Sequence, residues 1–142
     1  MRMAKMVLCA LLGLLNLVAP APAQTWPQIA LSTPISGFTY PVHITHAGDN
    51  RLFVAEVGGH IRVVQNGVLL ATPFLDISAL QRQGLFSVAF APNYATSGQF
   101  YVNYVDQALN VVVARYQVSG DPTTSNVADP NSAQIILRVP SP

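Results

Sequence analysis

Few groups in this chain are able to do chemistry: three histidines, six carboxylates, and a short run of amides ahead of an apolar segment. His43 and His46 stand three residues apart. On a helix that spacing would put both on one face. On a strand it sends them to opposite faces, where they cannot grip one ion together. Their surroundings, Val42-His43-Ile44-Thr45-His46, have the composition of a strand, so no zinc site is expected there. His60 follows Gly58-Gly59 and reads as a solvated turn residue. None of the three is expected to serve as a metal ligand or a base.

The carboxylates point to structure rather than catalysis. Asp49, Asp121 and Asp129 lie among turn residues, and Asp76 and Asp106 at strand ends. In such places a short acid caps nearby backbone N–H groups. Glu56 differs, because it closes an apolar strand just before Gly58-Gly59. A partly buried acid needs a cationic partner, and Arg62 and Arg115 are the candidates. A structural ion pair is the expected role. No Ser-His-Asp order, phosphate-cradling glycine loop or calcium loop of alternating acids is present.

The amide run is Gln81-Arg82-Gln83-Gly84-Leu85. It leads directly into 85–90, which is apolar on both faces except for Ser87. That pattern predicts a strand buried on both sides. A glutamine at its entrance can hydrogen-bond a cofactor carbonyl or a sugar hydroxyl. A polar loop that only caps the strand is the other reading, and chemistry alone weighs toward it.

The elements that would position these groups begin after a leader. Arg2 and Lys5 precede an apolar run over 6–18, and Ala21-Pro22-Ala23 has the small-x-small form of a cleavage site. Residues 1–23 therefore read as a signal peptide cut after Ala23, which implies a secreted or periplasmic protein. The apolar run is shorter than the roughly 20 residues of a membrane span, so no span is expected after cleavage. Removing Arg2 and Lys5 leaves five arginines against six acids, a net charge of −1. No basic field remains for nucleic acid or acidic lipid. Cys9 lies inside the leader, so neither a disulfide framework nor a cysteine zinc site is expected in the mature chain.

From residue 24 to 142, Gly and Pro recur at intervals suited to an all-β chain. One antiparallel meander is predicted from strands at 42–46, 51–56, 60–65 and 68–77, the last bent near Pro73. Asn66-Gly67 is a strong hairpin signal within it. A second meander is predicted from strands at 85–90, 99–106, 110–118 and 133–139, with loops at 78–83 and 91–98. The polar stretch 119–131 reads as a long surface loop. Two four-stranded meanders by themselves fit a propeller or a sandwich.

Several phrases carry a family resemblance. They are Asp49-Asn50-Arg51-Leu52-Phe53-Val54-Ala55-Glu56, Gly59-His60-Ile61-Arg62-Val63, Gln83-Gly84-Leu85-Phe86-Ser87-Val88-Ala89-Phe90 with Pro92-Asn93-Tyr94, and Phe100-Tyr101-Val102-Asn103-Tyr104. The tail phrases Asn126-Val127-Ala128-Asp129-Pro130 and Ile136-Leu137-Arg138-Val139-Pro140 also fit. Together they resemble the N-terminal portion of the soluble quinoprotein glucose/sorbosone dehydrogenases. The resemblance implies an all-β fold: the first two blades of an incomplete six-bladed β-propeller, occupying 24–142. It implies pyrroloquinoline quinone (PQQ) and calcium as cofactors and a small sugar as substrate. Hydride would pass from the sugar's C1 to the quinone, with a histidine as base. Of the cofactor contacts, only the glutamine before the Gly-Leu pair maps here; Gln83 is the best match, and Gln81 competes with it. Arg82 stands where relatives often carry Glu or Gln, and Ala91 where many carry His. The catalytic histidine and the calcium loop are expected beyond Pro142, so the chain alone is expected to be inactive. A secreted propeller that only binds protein or carbohydrate is the alternative function, and a small self-standing sandwich the alternative fold.

Overall fold

Val, Ile, Phe and Tyr dominate segments separated by Gly, Asn and Asp, and the chain folds accordingly into short antiparallel strands. The structure is a computed structural model that describes residues 29–140. The expected signal peptide lies outside the described residues. Of these, residues 33–140 belong to one compact unit.

Its first sheet comprises β1 (Pro41–His46), β2 (Leu52–Glu56) and β3 (His60–Gln65), paired in that order, with β4 (Val68–Leu69) and β5 (Leu75–Asp76) both on the far edge of β3. The second comprises β6 (Gln81–Phe90), β7 (Gln99–Asp106), β8 (Val111–Val118) and β9 (Ala128–Val139), again in chain order. A one-turn helix, α1 (Tyr94–Ser97), sits between β6 and β7. These are the two meanders that the spacing of apolar segments predicts. Asn66 and Gly67 both hold positive φ, 52° and 77°, as the Asn-Gly hairpin signal requires.

Four boundaries differ from expectation. The fourth strand of the first meander is broken, because Pro73 has no N–H to give the ladder; pairing resumes when Phe74 N–H donates to Ile61 C=O. The loop at 91–98 contains α1, which ends where Gly98 takes a left-handed φ of 64°. Strand β9 begins at Ala128, so the surface loop over 119–131 is shorter than expected. Backbone pairing there is anchored by Ala128 N–H donating to Phe74 C=O across to the first sheet. Strand β6 begins at Gln81 and is buried on one face only. Leu85 and Val88 are buried while Phe86 and Ala89 are exposed. The pairing register shifts between Gln81 and Gly84 and again between Leu85 and Ser87, and each shift resets which side chains face inward.

An aromatic stack joins the two sheets. Phe74 lies 5.0 Å, centroid to centroid, from Phe53 of β2 and 5.0 Å from Phe100 of β7. Phe90 lies 4.5 Å from Phe53 and 4.7 Å from Tyr94, and Tyr116 stacks on Phe100. Most of these rings tilt or meet edge-on, the geometry aromatic quadrupoles prefer.

A buried cation holds the same two sheets at one end. Arg51, 3% exposed, donates from Nε and Nη2 to Asp49 Oδ2, from Nη1 to Ser125 C=O, and from Nη2 to Pro122 C=O at 2.7 Å. Its guanidinium also sits 5.3 Å from the Phe53 ring centroid. The 122–125 loop of the second meander is thereby tied to the β1–β2 turn of the first. Asn126 adds a side-chain bond to Gln65 at 3.0 Å.

Arg51→Met should lower unfolding stability by about 3 kcal/mol, because buried carbonyls lose a charged donor. Arg51→Lys should recover only part of this, since an ammonium cannot span Asp49 and two carbonyls at once. Denaturant melts of the two variants provide the check. In the same assay Phe74→Ala should cost about 3–5 kcal/mol, the usual range for deleting a buried ring.

Candidate functional site

The end of the molecule where β6 begins gathers the polar residues of interest. Gly58-Gly59 turns the chain from β2 to β3. Gly59 has a φ of 96°, and a Cβ there would lie 2.7 Å from Ser78 Cα and 2.8 Å from Ser78 N. Only glycine allows the 78–81 segment to pass this closely. That segment is then tied down by its own polar atoms. Gln81 Nε2 donates to Gly58 C=O at 3.3 Å, and Leu85 N–H donates to Val57 C=O at 3.2 Å. From the other side, Gln107 Nε2 donates to Ala79 C=O at 3.3 Å and to Gln81 C=O at 3.0 Å.

The two candidate glutamines therefore sit differently. Gln81 is half-buried, and its amide is spent on the Gly58 carbonyl. Gln83 is exposed. It lies in the irregular stretch between the Gln81↔Asp106 and Gly84↔Val105 pairs, outside the regular ladder. Of the two, Gln83 is the one whose amide is presented to solvent on this rim. Gln107 carries no signal in the sequence. Nothing in Asp106-Gln107-Ala108 marks it, because its role depends on carbonyls 26 and 28 residues away.

Beside the rim lies a cleft of about 390 Å³, lined in part by Thr39, Glu56, Gly58, His60, Arg62 and Asp76. Glu56 is 2% exposed. Its Oε1 accepts the Thr39 N–H at 2.7 Å and lies 3.9 Å from Arg62 Nη1. Arg62 is thus the partner of Glu56, while Arg115 bonds Gln134 instead. His60 is more than a solvated turn residue. It opens β3, with Nδ1 3.9 Å from Glu56 Oε2 and Nε2 3.5 Å from Asp76 Oδ2. Protonated, it links the two carboxylates across the β2–β3 turn.

The other histidines lie apart. His43, half-buried on β1, accepts the Val88 N–H at 3.5 Å through Nδ1. His46 is exposed and accepts the Gly48 N–H. Their opposite placement is the one that strand alternation predicts. Among the described residues, no three His, Cys, Asp or Glu side chains gather as metal ligands.

The five aspartates do what their turn positions predict. Asp49, Asp76, Asp106, Asp121 and Asp129 each accept the backbone N–H two residues on. For Asp76, hydrogen bonds from Ser78 hold the carboxyl below its ordinary value. Asn110 does the same for Asp106, and Thr123 for Asp121. At Asp49 burial pulls upward, but the bonds and charge of Arg51 outweigh it and the net direction is down.

A carboxylate lowered in the folded state contributes stability that is present above the unfolded value, 3.8, and lost as pH falls below it. The contribution of these carboxylates to the melting temperature should therefore be constant above about pH 5 and be lost below about pH 4. Asp76→Asn keeps the turn bond but removes the charge, so it should soften the acid decline; a pH series of thermal melts tests this. Gly59→Ala should cost about 2–3 kcal/mol in the same melts, through the contact with Ser78 backbone and the positive φ.

The chain has recognisable relatives. A family model described as glucose / sorbosone dehydrogenase matches residues 38–135. Hedgehog-interacting protein from Mus musculus is 38% identical over 81 residues, and that from Homo sapiens 37%; each match covers 49% of this chain and 12% of the relative. Among solved structures, the PQQ-bound aldose sugar dehydrogenase of Streptomyces coelicolor superposes with a TM-score of 0.64 at 16% identity, over 78% of this chain and 34% of that one. A candidate oxidoreductase of glucose dehydrogenase type from Thermus thermophilus gives 0.58 at 20% identity, over 73% and 30%. The chain thus spans about a third of the solved structures it resembles and about an eighth of the curated relatives. The fold is all-β, and its two sheets are antiparallel meanders of the β-propeller type. With two thirds of its length matched by the family model, the chain belongs to the glucose/sorbosone dehydrogenase family.

Proposed function

We propose that this chain supplies the opening two blades of an exported, PQQ-dependent aldose dehydrogenase, a six-bladed propeller, and that Gln83 is its contact with the quinone. The observation that carries the reading is the rim geometry. Gln83 is exposed, lies outside the β6–β7 ladder, and precedes the buried Leu85 in a segment held from both sheets. Its amide can donate to a quinone oxygen and accept from a sugar hydroxyl. A quinone held there would supply the acceptor for the hydride leaving the sugar's C1. This chain's contribution is to hold and orient. The rim segment fixes the amide through the Gln81 and Gln107 side-chain bonds to Gly58, Ala79 and Gln81 carbonyls. Of the five arginines after the leader, Arg51, Arg62, Arg115 and Arg138 are engaged with Asp49, Glu56, Gln134 and Asp106 respectively, and Arg82 is exposed next to Gln83. In this proposal the groups that grip the cofactor's carboxylates, the general base and the calcium ligands come from polypeptide outside these residues. No helix among the described residues is long and apolar enough to cross a membrane. The leader read in residues 1–23 is what supports a periplasmic or secreted location.

A second reading has its own support. Identity to the Hedgehog-interacting proteins, over 81 residues, is about twice that to the sugar dehydrogenase structures. A propeller of this family that binds protein or carbohydrate without turnover would fit that likeness.

The test uses the longest polypeptide its gene encodes. Titration with PQQ should quench intrinsic fluorescence, and aldose should reduce an added dye. Gln83→Ala should weaken PQQ binding roughly three- to tenfold, the loss expected of one hydrogen bond. Residues 24–142 alone should turn over no sugar. Absence of PQQ binding by the longest polypeptide would favour the non-catalytic reading. The exported protein should begin at Gln24, which its intact mass would establish.

A further inference from the structure

We propose that Gln107 and Gln81 are positioning residues for Gln83, forming an amide clamp that sets its height on the rim. This rests on the reading of Gln83 as the quinone contact.

Between Gln81↔Asp106 and Gly84↔Val105 the β6–β7 register slips, so Arg82 and Gln83 are not held by ladder pairs. A bulge of this kind re-aims a side chain, but it also frees the backbone that carries it. Both flanks are nonetheless fastened. On the downstream side Gly84 has a φ of 136°, and a Cβ there would stand 3.2–3.3 Å from the Phe86 ring and Val57 Cγ1. Leu85 N–H then bonds the Val57 carbonyl. On the upstream side, Gln81 is held through its N–H to Ile77 C=O, its carbonyl to Gln107 Nε2, and its amide to Gly58 C=O.

Gln107 is the part of this clamp with no local purpose. The β7–β8 turn that contains it is already closed by Asp106, which accepts from Ala108 N–H, Asn110 N–H and Asn110 Nδ2. The Gln107 amide instead reaches back to Ala79 and Gln81. One side chain of the second sheet and one backbone turn of the first thus grip Gln81 from opposite sides. Gln83 is two residues downstream.

Three variants of the longest polypeptide its gene encodes test this: Gln107→Ala, Gln107→Lys and Gln83→Ala. Hydrogen exchange read by mass spectrometry should show Gln107→Ala opening residues 80–84 roughly three- to tenfold faster, with exchange in β2, β3 and β8 unchanged. The same variant should weaken PQQ binding several-fold while leaving turnover at saturating PQQ near wild type. Gln107→Lys, which keeps a donor of similar reach, should restore both. Faster exchange across every strand with a matching fall in melting temperature would assign Gln107 a general structural role and overturn the proposal. If Gln83→Ala weakens PQQ binding and Gln107→Ala leaves affinity and local exchange unchanged, the clamp is refuted and the quinone contact stands. If Gln83→Ala leaves PQQ affinity unchanged, the quinone contact falls and the clamp's purpose with it.

Discussion

The buried guanidinium of Arg51 is the constraint around which the two sheets are arranged. A cation this deeply buried is tolerated only when nearly all its donors are satisfied. Asp49 supplies the counter-charge from two residues away, and the carbonyls of Pro122 and Ser125 supply the rest from the second meander. The loop at 121–126 therefore has to close onto the β1–β2 turn if Arg51 is to be buried at all. Asp121 prepares that loop by taking the Thr123 N–H and hydroxyl, so the carbonyls are offered in a formed turn.

Hydrophobic burial and this polar clamp act at different places on one interface. The rings of Phe53, Phe74, Phe90, Phe100 and Tyr116 fill the space between the sheets, and burial drives their association without specifying register. Arg51 supplies direction at one end. The Gly58-Gly59 turn and the Gln81–Gln107 contacts supply it at the other. Between those fixed ends strand β6 is irregular, with two register shifts in ten residues. A regular strand would have paired Gln83 with β7. The irregular one leaves it exposed between the Gln81↔Asp106 and Gly84↔Val105 pairs.

Membership of the glucose/sorbosone dehydrogenase family and likeness to Hedgehog-interacting proteins are compatible, because a propeller blade carries little chemistry by itself. In these two blades the ionisable groups are largely paired with one another. Glu56, His60, Arg62 and Asp76 form one set, and Asp106 with Arg138 another. Such blades serve equally as scaffold for an oxidoreductase or for a binding protein.

Much of this was legible in the residues alone. Strand order, the Asn-Gly hairpin, the five aspartate turn caps and the opposite faces of His43 and His46 depend on interactions within a few residues, so composition and alternation determine them. The pairing of Glu56 with Arg62 was one of two options open to the sequence, and strand register selected it. The split of β4 from β5, the one-sided burial of β6, the Arg51 clamp and the reach of Gln107 were decided by tertiary structure. Each depends on a carbonyl, a ring or a backbone close approach brought in from a distant segment. A linear pattern carries no record of which distant partner will satisfy a donor.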